Sequence, residues 1–175
     1  MQTMDSPKLA EIKKELNFHE SHELKELCLR LAKYKTENKE LLNYLLFYQD
    51  KKDDYVAQIK QLITNEFDDL HPSVYYVGKQ MRKLTRIMNK HIKYIGEKPL
   101  ETEIAITFCR NFIQHPIVKS NYKAIDLLLF RQLKRIKRLI PKLQEDFQFD
   151  YQQEFDELLI ELKKKKPRFD SREIE

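Results

Sequence analysis

The residues best placed to do chemistry are cations at helical spacing. Lys79, Arg82, Lys83, Arg86 and Lys90 follow one another at steps of three, one, three and four, and Arg131, Lys134, Arg135, Arg138 and Lys142 repeat the same steps. At 3.6 residues per turn, each set falls on one face of a helix. Cations repeated along such a face can track a polyphosphate backbone by displacing its condensed counterions. Both sets sit inside a longer match, in which 77–90 aligns with 129–142 at a constant offset of 52 residues. Gln80 and Gln132, Arg86 and Arg138, and Lys90 and Lys142 are identical pairs in it. Val77, Met81, Leu84 and Met88 lie on the opposite face, matched by Leu129, Leu133, Ile136 and Ile140. Each helix is therefore expected to be apolar inward and cationic outward.

The net charge of +5 is a small remainder of large opposite blocks. Residues 79–98 hold seven cations and one acid, 131–143 hold six cations and no acid, and 144–162 hold seven acids and no cation. A competing reading treats the two stripes as solvated helix faces, because lysine and arginine are good helix formers. A third sets the acidic block, with Glu145, Asp146, Asp150, Glu154, Asp156, Glu157 and Glu161, against a stripe or a neighbouring molecule. Exposed ion pairs of that kind add little stability but can set register or partner choice.

Other chemistry-bearing clusters are sparse. His19-Glu20-Ser21-His22-Glu23 is the one local run of metal-ligand types, but a zinc site needs a third protein ligand and an ordered outer shell. No histidine has a glutamate three residues before it, so the di-iron helix pattern is missing. Asp68, Asp69 and His71 stand beside Pro72, where acids serve turns and caps. There is no Gly-x-Ser-x-Gly elbow, no Walker lysine and no His-Glu-x-x-His. His91 reads as a hydrogen-bonded inward residue and His115, before Pro116, as a loop residue. No catalytic residue, metal or cofactor is assigned. Tyr75 and Tyr76, just before the first stripe, are the aromatic pair most suited to stacking on bases or on a peptide.

The elements that would position these groups are helices throughout. Only Gly78 and Gly96 are glycines, too few for a β-sandwich, a Rossmann sheet or a P-loop. Ser6-Pro7 reads as a helix start with Leu9, Ile12 and Leu16 inward. Ser21 is expected to cap a helix burying Leu24, Leu27, Cys28 and Leu31, and Thr36 or Asn38 to open one burying Leu41, Leu42, Leu45 and Leu46. Further helices are predicted from Asp50, from Ser73 to a cap at Gly96, from Pro99 to Gln114, from Ser120 to a proline break at 141, and from about Asp150. Cys28 and Cys109 lie in apolar helical patterns and read as reduced core residues.

Eight or nine helices with short connections predict an all-α fold of antiparallel pairs, α-solenoid-like in preference to a closed helical bundle. The paired helices are similar in general look to HEAT-type and armadillo-type arrays, without a diagnostic repeat consensus. One domain is expected over 1–167, followed by a charged tail over 168–175. No run approaches the ~20 apolar residues of a membrane span and no early stretch resembles a signal peptide, so a cytoplasmic protein is expected. The leading functional expectation is a non-enzymatic interaction or scaffold domain that binds another macromolecule, most simply a protein, through a charged surface. The alternative is a nucleic-acid-binding domain using the two stripes, and an enzyme ranks third.

Overall fold

The computed structural model describes residues 7–170, which are helical with no strand among them. The helices are α1 (Leu9–Leu16), α2 (Ser21–Tyr34), α3 (Thr36–Phe47), α4 (Lys52–Asp68), α5 (Val74–Ile95), α6 (Lys98–Gln114), α7 (Lys123–Leu139) and α8 (Glu145–Lys165). Short 3₁₀ turns over Pro116–Lys119 and Ile140–Lys142 flank α7. Ser6 and residues 171–175 of the charged tail lie outside the described residues. The chain divides between Gln49 and Asp50 into two compact units.

In the N-terminal unit, α2 packs on α3. The break between them is a single extended residue, Lys35, spanned by the Asn38 amide, which donates to the Leu31 carbonyl at 2.9 Å. The start of α2 differs from expectation. Glu20 is the cap in place of Ser21, and its backbone N–H donates to the Glu23 carboxylate at 2.9 Å. A carboxylate at that position satisfies one of the orphan donors of the helix start. The larger correction concerns burial. Leu9, Ile12, Leu16, Leu27, Cys28, Leu31, Leu41, Leu45 and Leu46 were expected inward and are exposed, and Tyr44 is the one buried residue among 7–49. Three short helices with one packed pair provide too little facing surface to close a core.

In the C-terminal unit, α6 packs against α4, α5, α7 and α8. Its sequence fits that position, since Ile104, Ala105, Ile106, Phe108, Cys109, Phe112 and Ile113 bury nearly the whole circumference. Phe67 of α4 meets Phe108 and Phe112 with ring centroids 5.4 and 6.1 Å apart, in the edge-to-face geometry that aromatic quadrupoles favour. The buried Thr102 and Thr107 hydroxyls donate to the Lys98 and Glu103 carbonyls at 2.8 and 3.0 Å, so they enter the core satisfied.

The helix boundaries shift in three places. The fourth helix starts at Lys52, after Asp50, and α8 starts at Glu145, ahead of Asp150. Between α6 and α7 the Pro116–Lys119 turn intervenes, and Ser120 accepts from the Tyr122 N–H at 3.2 Å three residues before α7 begins. Gly96 ends α5 as expected, at φ 69°, a left-handed conformation that glycine adopts without Cβ strain.

Candidate phosphate-binding groove

Two helices are oriented by the same device. Met81, Leu84 and Met88 of α5 and Leu129, Leu133 and Ile136 of α7 are fully buried. That anchoring turns the opposite, cationic faces toward solvent. Lys79, Arg82, Lys83, Arg86, Arg131, Arg138 and Lys142 are exposed, and Lys90, Lys134 and Arg135 are half-buried. The two helices also pack on each other and on α6.

Where the C-terminal end of α5, the start of α6 and the second half of α7 meet, the surface sinks into an open groove of about 820 Å³. Ile92 and Leu139, both buried, supply its apolar floor. Its charged lining is Lys93, Lys98, Arg131, Arg135, Arg138 and Lys142 against the single carboxylate of Glu101. That carboxylate is already engaged, because Arg135 Nε donates to it at 2.7 Å while Arg135 Nη1 donates to Asn89 Oδ1 at 2.6 Å. With side-chain exposures of 19% and 24%, the Arg135–Glu101 pair is screened less than a surface pair, and it ties all three helices together. Arg135 thus shapes the groove, while the exposed Lys93, Lys98, Arg131, Arg138 and Lys142 set its potential.

The groove collects four of the five residues of the second stripe, Arg131, Arg135, Arg138 and Lys142. Lys134 stands aside, its Nζ 5.7 Å from the Phe130 ring centroid. The stripe of α5 is divided differently. Lys79, Arg82, Lys83, Arg86 and Lys90 run along the helix outside the groove lining. Sequence reasoning missed Lys93 and Lys98 as partners of the α7 stripe. Lys93 carries a readable signal, since it continues Arg86 and Lys90 at helical spacing. Lys98 belongs to the next helix and arrives only through the left-handed turn at Gly96.

At the other end of α5, Tyr75 and Tyr76 are 56% and 49% exposed and meet edge to face at 5.4 Å. Lys79 Nζ lies 4.6 Å from the Tyr75 ring centroid, a cation–π contact that draws the first stripe residue onto the aromatic pair. Gln80 braces the preceding turn, accepting from the His71 N–H at 2.9 Å and donating to the Asp69 carbonyl at 3.2 Å. Asp69 and His71 therefore serve the turn. The matched Gln132 is used otherwise: it is buried, and its Oε1 has no hydrogen-bond partner.

Several other titratable groups are engaged locally. His19 Nδ1 lies 3.1 Å from the Glu23 carboxylate and His22 Nδ1 lies 3.4 Å from that of Glu20. Among the described residues no three metal-ligand side chains converge. Tyr55 Oη and His91 Nδ1 are 2.6 Å apart. The acidic α8 meets α6 through Glu154 and Arg110 at 2.6 Å. Beside them, burial, with Glu103, Glu154 and Asp150 adding to it, pushes the Tyr151 phenol up to about 12. Comparison of the chain with protein-family models, with curated proteins and with solved structures finds no match.

Proposed function

We propose that this is a non-enzymatic interaction protein whose groove between α5, α6 and α7 binds the phosphate backbone of a nucleic acid. One observation carries the reading. Six cations, five from three helices and Lys142 from the turn after α7, line one concavity, and its only carboxylate is held by one of them. A concave cationic wall focuses potential and steers a polyanion, which a flat, solvated helix face does to a lesser degree. On this reading α5 and α7 take equivalent places beside α6, as alternate helices do in an α-solenoid-like array, and the exposed α5 stripe lengthens the track. Two free cysteines support a reducing, cytoplasmic setting for it.

The test is fluorescence anisotropy with labelled single-stranded RNA, single-stranded DNA and duplex DNA across a salt series. Six phosphate contacts to a single strand give a log–log slope of about −4. Replacing Arg131, Arg138 and Lys142 by glutamate is expected to abolish binding while leaving helicity unchanged. No binding at low salt would end the proposal, and so would binding that ignores these three substitutions.

A second reading, a protein partner, is favoured by a separate feature, the exposed leucines of α2 and α3. Surfaces of that kind mark association sites.

A further inference from the structure

We propose that α2 docks antiparallel on α2 of a second copy of this chain. The first observation is an apolar row. Leu27, Leu31 and Tyr34 recur at steps of four and three, and they are 37%, 61% and 78% exposed. Leu24, half-buried, extends the row by one step. That alternation of three and four is the seam of a helix–helix interface. Leucine and tyrosine side chains repeated along one face keep a large cost in water until a matching face covers them.

The second observation selects the occupant. Glu20, Glu23 and Glu26 hold the first half of this segment, and Arg30, Lys33 and Lys35 hold the second half, with Lys25 the one exception to the order. A helix acidic at one end and basic at the other complements itself when it is reversed. A two-fold axis between Leu27 and Cys28 sets Leu24 opposite Leu31 and Glu20 opposite Lys35 of the second copy, and leaves Lys25 opposite Arg30 as the one like-charged pair. The same patch then serves both copies, as closed dimers require. Reversal also sets the two helix dipoles head to tail. In a parallel pair, acids would face acids and bases would face bases. Residues 7–49 carry eight cations and seven acids, so two copies meet with almost no net repulsion.

Acid-first order also suits the dipole of a solitary helix. The deciding experiment is therefore a charge exchange, read by sedimentation velocity on the full chain. The unaltered protein is expected at twice the monomer mass of 21.3 kDa. One variant carries Glu20→Lys with Glu26→Lys, and the other carries Lys33→Glu with Lys35→Glu. All four positions are exposed, and the donation from the backbone N–H of residue 20 to the Glu23 carboxylate is kept. Each variant alone is expected to sediment as a monomer, and an equimolar mixture as a dimer. Leu27→Glu with Leu31→Glu is expected to be monomeric in every mixture, with its helical circular dichroism retained.

A wild-type monomer at all concentrations would overturn the proposal. So would variants that each dimerise alone, or variants that stay monomeric when mixed, an outcome that would assign this face to a different protein. The groove residues belong to the other unit, so loss of nucleic-acid binding and loss of the dimer are separate results.

Discussion

Residues 7–49 and 50–170 are both built from amphipathic helices, yet they spend their apolar side chains in opposite ways. The first unit buries Tyr44 and exposes twelve large apolar residues, among them Leu31, Tyr34, Leu46 and Phe47. The second buries thirty apolar residues and exposes seven. Both contain helices with an apolar stripe, so patterning alone does not separate them. The difference is a helix that is apolar on nearly all sides. The second unit has α6, whose circumference gives α4, α5, α7 and α8 a common surface to bury against. Among its described residues the first unit has one well-packed pair, α2 and α3. An amphipathic helix closes a core only when enough facing surface surrounds it. The cationic faces of α5 and α7 are positioned by this. Their inward faces are held, so their outward faces are fixed relative to each other.

The contrast is broken or sharpened first by the two thiols. Cys28 is exposed, while Cys109 is fully buried and desolvation pushes its thiol well above the ordinary cysteine range. The thiolate is the nucleophile, and a buried thiol reaches reagent only through opening of the fold. Alkylation of the native protein, followed by mass spectrometry, is expected to label Cys28 at least about a thousandfold faster than Cys109, the ratio set by the stability of an ordinary domain. Comparable rates would mean that α6 is not a closed core.

Next in size is a pair of truncations. Phe108→Ala removes a fully buried ring that packs on Phe67 and Phe112, and is expected to destabilise the second unit by about 3–5 kcal/mol. Leu31→Ala trims a side chain 61% exposed and should change unfolding by no more than about 0.5 kcal/mol at protein concentrations below dimer formation. Denaturant unfolding measures both. A large loss from Leu31→Ala in the monomer would show that the first unit has a core of its own.

These differences also mark what the sequence could tell. Helix existence was legible because the 3.6-residue period, the scarcity of glycine and the cap at Gly96 all point the same way. The matched stripes were legible as two helix faces, with Met81, Leu84 and Met88 opposed to the cations. Burial in the first unit was not legible, since periodicity says which face a helix would bury and nothing about whether a partner exists. Cys28 and Leu31 sit in apolar helical patterns as Cys109 and Leu133 do, yet they end in opposite environments. The groove was half legible. Arg131, Arg135, Arg138 and Lys142 were found on one face, but their union with Lys93 and Lys98 depends on helices meeting in space. So does the neutralisation of Glu101, whose partner lies 34 residues away in sequence.

The smallest expected effect compares how the two units hold a titratable group. Glu23, in the first unit, is exposed, and its carboxyl is held below the usual range by the Glu20 backbone N–H first and by His19 next. Its contribution is present above the ordinary carboxylate value and is lost as pH falls through the lowered one. His115, in the second unit, is governed by burial, which lowers its imidazole below 6.5 against an opposing pull from Asp68. It also accepts the Ile117 N–H at Nδ1, 3.1 Å away, which requires that nitrogen to be unprotonated. With the folded value below the unfolded one, the unfolded chain binds more protons between the two, so stability rises with pH across that window. The contribution of His115 is therefore complete above about 6.5, the ordinary imidazole value, and declines as pH falls toward the lowered value. NMR titration of the imidazole resonances is expected to place His115 below the ordinary value, with a shallow parallel loss in unfolding free energy that His115→Asn removes. Asparagine can still accept the Ile117 N–H, so the variant isolates the charge from the cap. An unshifted His115 would mean that the end of α6 is as open to water as α2, and the contrast between the units would then stop short of Pro116.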